Sequence, residues 1–142
     1  MLKIGIDIGG VISKYPDTFR KLINKFQAET VPGISSRCQI YIISDMHDVD
    51  AMHQMLKTND IAVDKSQIFS ADYATYGEFC KTKLCQDLEI DILIDDFIGY
   101  VAEGDFIRLL VMPNTSMPYY SDSWKTDGSE GDFGRRVKPI NS

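Results

Sequence analysis

Three aspartates in this chain directly follow runs of apolar residues. Asp7 follows the run from Leu2 to Ile6, and the pair Asp95 and Asp96 follows the run from Ile90 to Ile94. If both runs are strands of one sheet, their carboxylates can lie side by side at one edge. Crowded carboxylates repel one another unless a cation neutralises them, so the pattern predicts a site for a hard divalent metal. It also points to phosphate chemistry, because Mg²⁺ commonly bridges carboxylates and phosphate oxygens.

A simpler interpretation is that each aspartate only ends a strand or begins a helix, since Asp is common at turns. A third predicted strand, from Cys38 to Ser44, argues against coincidence because it also ends in a polar side chain. Asp7, Ser44 and Asp95 would then all lie at carboxyl ends of strands, which is where α/β sheets bind their ligands.

The elements that must position these residues alternate regularly. Strands are predicted at 2–7, 38–44, 68–69, 91–95 and 107–112, and helices at 16–27, from Val49 to Leu56, from Phe79 to Leu88, and at about 97–103. Alternating strands and helices predict an α/β three-layer sandwich: a parallel, Rossmann-like sheet of about five strands with helices on both faces. Right-handed crossovers limit the possible strand orders.

Composition excludes several classes of protein. The chain has 142 residues, which suits one domain, and a formal net charge of -6. The acidic excess gives no strong nucleic-acid signal and argues against binding to anionic membrane surfaces. No apolar stretch is long enough to span a bilayer. The first strand begins almost at Met1, which leaves no room for a signal peptide, so we expect a cytoplasmic protein.

Three cysteines, an odd number without a CxxC pair, predict neither a disulfide framework nor a zinc site. We expect Cys80 and Cys85 to be buried small hydrophobic residues of a helix.

The periodic pattern ends at Met112. We therefore predict a core at 1–112 and an irregular C-terminal extension at 113–142 packed on the same domain. The extension contains aromatic residues, which argue against disorder. A surface-packed tail, a contact in a homo-oligomer and a lid over the site all remain open.

Four short motifs lie in order within 1–112: Asp7-Ile8-Gly9-Gly10-Val11, the strand from Ile40 to Ser44, Lys81, and Ile92-Leu93-Ile94-Asp95-Asp96. Together they resemble the haloacid dehalogenase-like (HAD) phosphohydrolase superfamily. Each motif is weak alone, and their order and spacing make the match specific. The intervals between motifs leave no room for a large inserted cap, so the chain resembles a capless member.

The resemblance implies a role for each residue. Asp7 would attack phosphorus and form an aspartyl-phosphate. Ser44 would donate a hydrogen bond to a phosphoryl oxygen, and Lys81, with Lys83 in reserve, would neutralise negative charge. Gly9 and Gly10 would let the backbone approach the phosphate closely. Mg²⁺ would be held by carboxylates and a backbone carbonyl, namely those of Asp7, Asp95, Asp96 and Gly9. The substrate would be a phosphorylated compound of unknown identity.

Position 9 departs from the family's pattern. The family has a second Asp there, which acts as the general acid and base, and this chain has Gly9. The loss leaves three alternatives: slow turnover with only good leaving groups, substitution by another group such as Asp45 or His47, or binding of phosphate and metal without turnover.

Three other functions share features with this sequence. The run from Ile4 to Gly10 also resembles the first phosphate motif of actin-like sugar kinases. Those proteins need two large lobes and a second phosphate loop, and this chain of 142 residues has neither the length nor a second loop motif. A response-regulator receiver would have its acid pair early and its lysine late, the reverse of the order here. A catalytically impaired HAD scaffold acting as a phosphate-binding, metal-binding or protein-interaction module remains the main alternative to an enzyme.

Overall fold

The computed structural model describes residues 1–28, 38–97, 99, 103–112 and 118–126. The strands are β1 (Leu2–Ile6), β2 (Cys38–Ser44), β3 (Ile68–Ser70), β4 (Ile92–Asp95) and β5 (Ile107–Leu110). The helices are α1 (Pro16–Ala28), α2 (Val49–Thr58), the single turn α3 (Tyr73–Tyr76) and α4 (Cys80–Leu88).

The five strands form one parallel sheet in the order β3-β2-β1-β4-β5. The predicted α/β class and strand number are therefore confirmed. The last predicted strand is two residues too long, because β5 ends at Leu110 rather than at Met112. The helix predicted at about 97–103 lies largely outside the described residues.

Helices cover both faces of the sheet, because successive side chains of β2 point to opposite sides. Ile40 and Ile42 belong to an apolar cluster with Phe19 and Ile23 of α1. Side chains of α2 complete this cluster: Met52, Met55 and Leu56. On the opposite face, Tyr41 and Ile43 of β2 pack with Cys85 of α4 and with Leu93 of β4. This arrangement is the predicted three-layer sandwich.

Cys80 and Cys85 are buried free thiols, as predicted. Burial raises the pKa of the Cys85 thiol to about 12, although Lys81 opposes the shift. The side chain is therefore an apolar packing group rather than a nucleophile.

The described part of the C-terminal extension, 118–126, contains neither helix nor strand but is attached to the core at three points. Trp124 is only 4% exposed and belongs to the same cluster as α1 and α2. The backbone N–H of Ser121 donates to the carbonyl of Ser13 at 2.9 Å. The side chain of Asn59 donates to the carbonyl of Lys125 at 3.0 Å and accepts from its N–H at 2.7 Å.

Among the described residues, no helix combines the length and the apolar character needed to cross a bilayer.

Candidate active site

The strand register brings the three predicted carboxylates together. Ile6 of β1 lies opposite Ile94 of β4, so the next residues, Asp7 and Asp95, meet where both strands end. The N–H of Asp7 donates to the carbonyl of Ile94 at 3.0 Å and continues the ladder one step beyond β1. Ligand atoms of Asp7, Asp95 and Asp96 all lie within 4.8 Å of one another, and all three side chains are buried.

Lys81 places one ammonium group among these acids. Because α4 runs back across the sheet to reach β4, its first turn lies at the edge where the strands end. Lys81 is in that first turn, is 1% exposed, and its Nζ lies 3.0 Å from Oδ2 of Asp7 and 3.0 Å from Oδ2 of Asp95. The reserve candidate Lys83 instead pairs with Asp87 on the helix surface at 2.7 Å.

Backbone N–H groups fix the other oxygens of the same two carboxylates. Oδ1 of Asp7 accepts from the N–H of Ile8 at 2.8 Å, and Oδ1 of Asp95 accepts from the N–H of Asp96 at 2.7 Å. Each carboxylate is therefore held by an ammonium group on one side and by its own chain on the other. Such a locked side chain is preorganised, which a nucleophile or a metal ligand requires.

The pKa values reflect how strongly this acidic cluster is buried. Burial raises the pKa of Asp7 well above its usual range; Lys81 opposes the shift, and the charges of Asp95, Asp96 and Asp45 reinforce it. Burial and the adjacent charge of Asp95 raise the pKa of Asp96 to about 7. The pKa of Asp95 is lowered, because Lys81 and several hydrogen bonds to its carboxylate outweigh the opposing effect of burial.

This donor set fits a hard divalent cation. Three buried carboxylates face one ammonium group, and burial together with the neighbouring acids raises the pKa of Asp7 and of Asp96, so protonation of these two groups competes with ionisation. A cation would remove the need for those protons. Carboxylate oxygens are the ligands that Mg²⁺ and Ca²⁺ prefer, and cysteine and histidine are absent from the cluster.

Gly9 and Gly10 form a type II β-turn directly after Asp7. Gly9 has φ -65° and ψ 125°, and Gly10 has φ 73° and ψ -1°, as the two central positions of that turn require. The positive φ favours glycine at position 10, whereas any residue can adopt the backbone angles of Gly9. The need for glycine at position 9 must therefore come from its neighbours.

Ser44 lies at the same edge of the sheet, one strand away from Asp7. It is 1% exposed, and its Oγ accepts from the N–H of Met46 at 3.2 Å. Asp45 is half-buried and close enough to raise the pKa of Asp7, whereas His47 is exposed. The N-cap of α2 is Asp48, whose carboxylate accepts from the N–H of Ala51.

The sequence did not single out Tyr119, which lies at this site, or the burial of Lys14. Tyr119 lies over the glycine turn: a side chain at Gly9 would overlap its hydroxyl and lie 3.2 Å from its Cζ. Lys14, just after the turn, is fully buried. The aromatic residues of the extension suggested a lid over the site, but no periodicity pointed to Tyr119 in particular. No sequence signal marked Lys14.

Comparison of the chain with protein-family models, with curated proteins and with solved structures finds no match.

Proposed function

We propose that this protein is a Mg²⁺-dependent phosphoesterase that acts through an aspartyl-phosphate on Asp7. One observation carries the proposal: three buried carboxylates converge within 4.8 Å, and a buried lysine contacts two of them. The order of these residues along the chain, which resembles that of the HAD superfamily, supports the same chemistry. The substrate would be a phosphorylated compound, and the buried free thiols are compatible with the reducing cytoplasm.

In this proposal Asp7 is the nucleophile. One of its carboxylate oxygens bonds to phosphorus while the ester oxygen of the substrate leaves, and water then cleaves the acyl phosphate to regenerate Asp7 and release inorganic phosphate. Asp7 is held for this role by the N–H of Ile8 and by Lys81. Fixing a nucleophile in place removes much of the entropic cost of the reaction.

Lys81, Ser44 and the turn would bind the phosphoryl group. Lys81 would neutralise charge as it develops on the phosphoryl oxygens, and Ser44 would donate its hydroxyl proton to one of them. Asp95 and Asp96, with Asp7 and the carbonyl of Gly9, would hold Mg²⁺. The metal, when bound, would neutralise negative charge on the phosphoryl group.

The proposal is tested with purified protein and p-nitrophenyl phosphate. We expect hydrolysis that requires Mg²⁺, stops in EDTA, and is abolished by Asp7→Asn. The matched control is Asp87→Asn, since Asp87 is an exposed carboxylate that pairs with Lys83 on α4. An Asp7→Asn protein with unchanged turnover would refute the proposed nucleophile.

The alternative is a phosphate- or metal-binding module, and one observation favours it. Position 9 carries no carboxylate, and the aromatic side chain of Tyr119 takes the adjacent space. A binding module would be thermally stabilised by Mg²⁺ together with beryllofluoride, yet would hydrolyse no member of a phosphoester panel.

A further inference from the structure

Tyr119 takes the space that glycine leaves at position 9. A Cβ atom built on Gly9 would overlap the Tyr119 hydroxyl, and one built on Gly10 would lie 2.8 Å from Cε2 of the same ring. The Gly10 Cβ would also overlap the carboxylate of Asp96. The phenol and the acidic cluster therefore border the same small region above the turn.

The segment that carries Tyr119 is held on both sides. The hydroxyl of Ser13 donates to the carbonyl of Tyr119 at 3.3 Å and also accepts from the N–H of Gly10 at 3.0 Å. Ser13 thus joins the turn directly to Tyr119. Five residues further along, Trp124 is buried in the core. These attachments make the phenol a fixed part of the site rather than the tip of a movable lid.

We infer that Tyr119 is a catalytic residue, whose hydroxyl donates a proton to the leaving oxygen of the phosphoester. This inference rests on the proposed phosphoesterase function and adds to it the group that protonates the leaving oxygen. Tyrosine is among the side chains that act as general acids and bases. Tyr119 brings such a hydroxyl to the glycine turn, where the chain's own position 9 has no side chain.

Lys81 and Ser13 also carry protons near the site. The ammonium group of Lys81 is shared between Asp7 and Asp95. The hydroxyl of Ser13 donates to the backbone of Tyr119. Among these neighbours, Tyr119 is the one whose hydroxyl lies directly against Gly9, two residues after the nucleophile.

The proposed step balances as follows. The carboxylate of Asp7 forms a bond to phosphorus, the phosphorus–oxygen ester bond breaks, and the leaving oxygen takes the proton of the Tyr119 hydroxyl. In the second half, water forms a bond to phosphorus, the phosphorus–oxygen bond to Asp7 breaks, and one proton of the water passes to the Tyr119 oxygen. The products are the free alcohol, inorganic phosphate, and the starting forms of Asp7 and Tyr119.

Tyr119→Phe tests the inference because it removes the hydroxyl and keeps the ring. The matched control is Tyr120→Phe, which makes the same change on the adjacent ring. The centroids of the two rings are 5.1 Å apart, and Tyr120 packs against the apolar core. Both variants are assayed on two esters: p-nitrophenyl phosphate, whose leaving group departs without protonation, and β-glycerophosphate, whose alkoxide needs a proton. Thermal melting of each variant checks that the segment stays docked.

We expect Tyr119→Phe to lower kcat on β-glycerophosphate by at least about 10-fold and on p-nitrophenyl phosphate by less than about 3-fold. Tyr120→Phe should leave kcat on both esters unchanged. Equal effects of Tyr119→Phe on both esters, or a wild type active on p-nitrophenyl phosphate alone, would overturn the role of Tyr119 and leave the phosphoesterase standing. A wild type that hydrolyses neither ester would refute the phosphoesterase itself, and this inference with it.

Discussion

At the scale of single residues, the site depends on how one lysine balances three acids. Lys81 and the carboxylates of Asp7, Asp95 and Asp96 are all buried, so each charge has lost most of its hydration. Removing the lysine from such a group costs more than the lost contacts, because the carboxylates stay buried without compensation.

Lys81→Met should therefore destabilise the metal-free protein by about 3–5 kcal/mol. Lys83→Met is the matched control on the same helix, because its partly exposed pair with Asp87 should contribute little to stability. The measurement is urea unfolding in EDTA, repeated with Mg²⁺, which should restore part of the loss in Lys81→Met. Equal stability of the two variants would contradict the charge balance described here.

Asp96 should make the metal-free protein less stable as pH rises. Its pKa is about 7 when folded and near the ordinary value of 3.8 when unfolded, so between these values the folded state binds more protons. Its contribution to stability is therefore present in full below about pH 4 and is lost progressively as pH rises through about 7. Asp7 acts in the same direction, whereas Asp95, with its lowered pKa, loses its contribution only below this window.

Chemical denaturation in EDTA across pH 5 to 8 measures this effect. We expect Asp96→Asn to flatten the decline and to exceed the wild type in stability at pH 8. Mg²⁺ should flatten the wild-type profile as well. A wild type and an Asp96→Asn variant with parallel profiles would show that Asp96 ionises normally in the folded protein.

At the scale of elements, the turn after β1 and the segment 118–126 fit together. The sequence predicted the acids at the strand ends, because alternating strands and helices fix which end of each strand shares an edge. It could not predict Tyr119, because no periodicity connects residue 119 to residue 9. Position 9, where this chain departs from the HAD pattern, has no room for a side chain, because the phenol of Tyr119 occupies that space.

Gly9→Ala tests that fit. The backbone angles of Gly9 suit alanine, so the expected destabilisation comes from overlap with Tyr119. In a double-mutant cycle, Tyr119→Ala should relieve this cost, with a coupling energy of about 0.5–3 kcal/mol. Asp122→Ala, an exposed change in the same segment, serves as the additive control. Additive effects of Gly9→Ala and Tyr119→Ala would refute the steric fit.

At the scale of the whole molecule, the described part of the C-terminal extension, 118–126, packs on the core. Trp124 packs with α1 and α2, and Asn59, fully buried at the end of α2, holds the backbone of Lys125. The sequence predicted an irregular extension at 113–142 packed on the same domain. It could not predict which residue is buried there, because burial of a single tryptophan leaves no periodic pattern. Deleting 113–142 would therefore disturb the fold as well as any cover over the site. Point variants are a better test of the docked segment, because they change one contact at a time.

Asn59→Ala should destabilise the protein by about 1–3 kcal/mol, because it leaves the buried carbonyl of Met55 and the part-buried backbone groups of Lys125 without their partner. Asn24→Ala is the control, since Asn24 also bonds two backbone groups, those of Asp60 and Ala62, in an exposed setting. Thermal unfolding compares the two. A loss in Asn59→Ala no greater than in Asn24→Ala would contradict a structural role for the docked segment.

The docking of Trp124 and Tyr119 also orders events during protein synthesis. A growing chain acquires β1 to β5 first, and with them the acids and Lys81. The aromatic residues that complete one face of the core and border the glycine turn leave the ribosome afterwards. The surroundings of the glycine turn are therefore completed last, and a nascent chain that already has Asp7 and Lys81 still lacks the phenol that borders the turn.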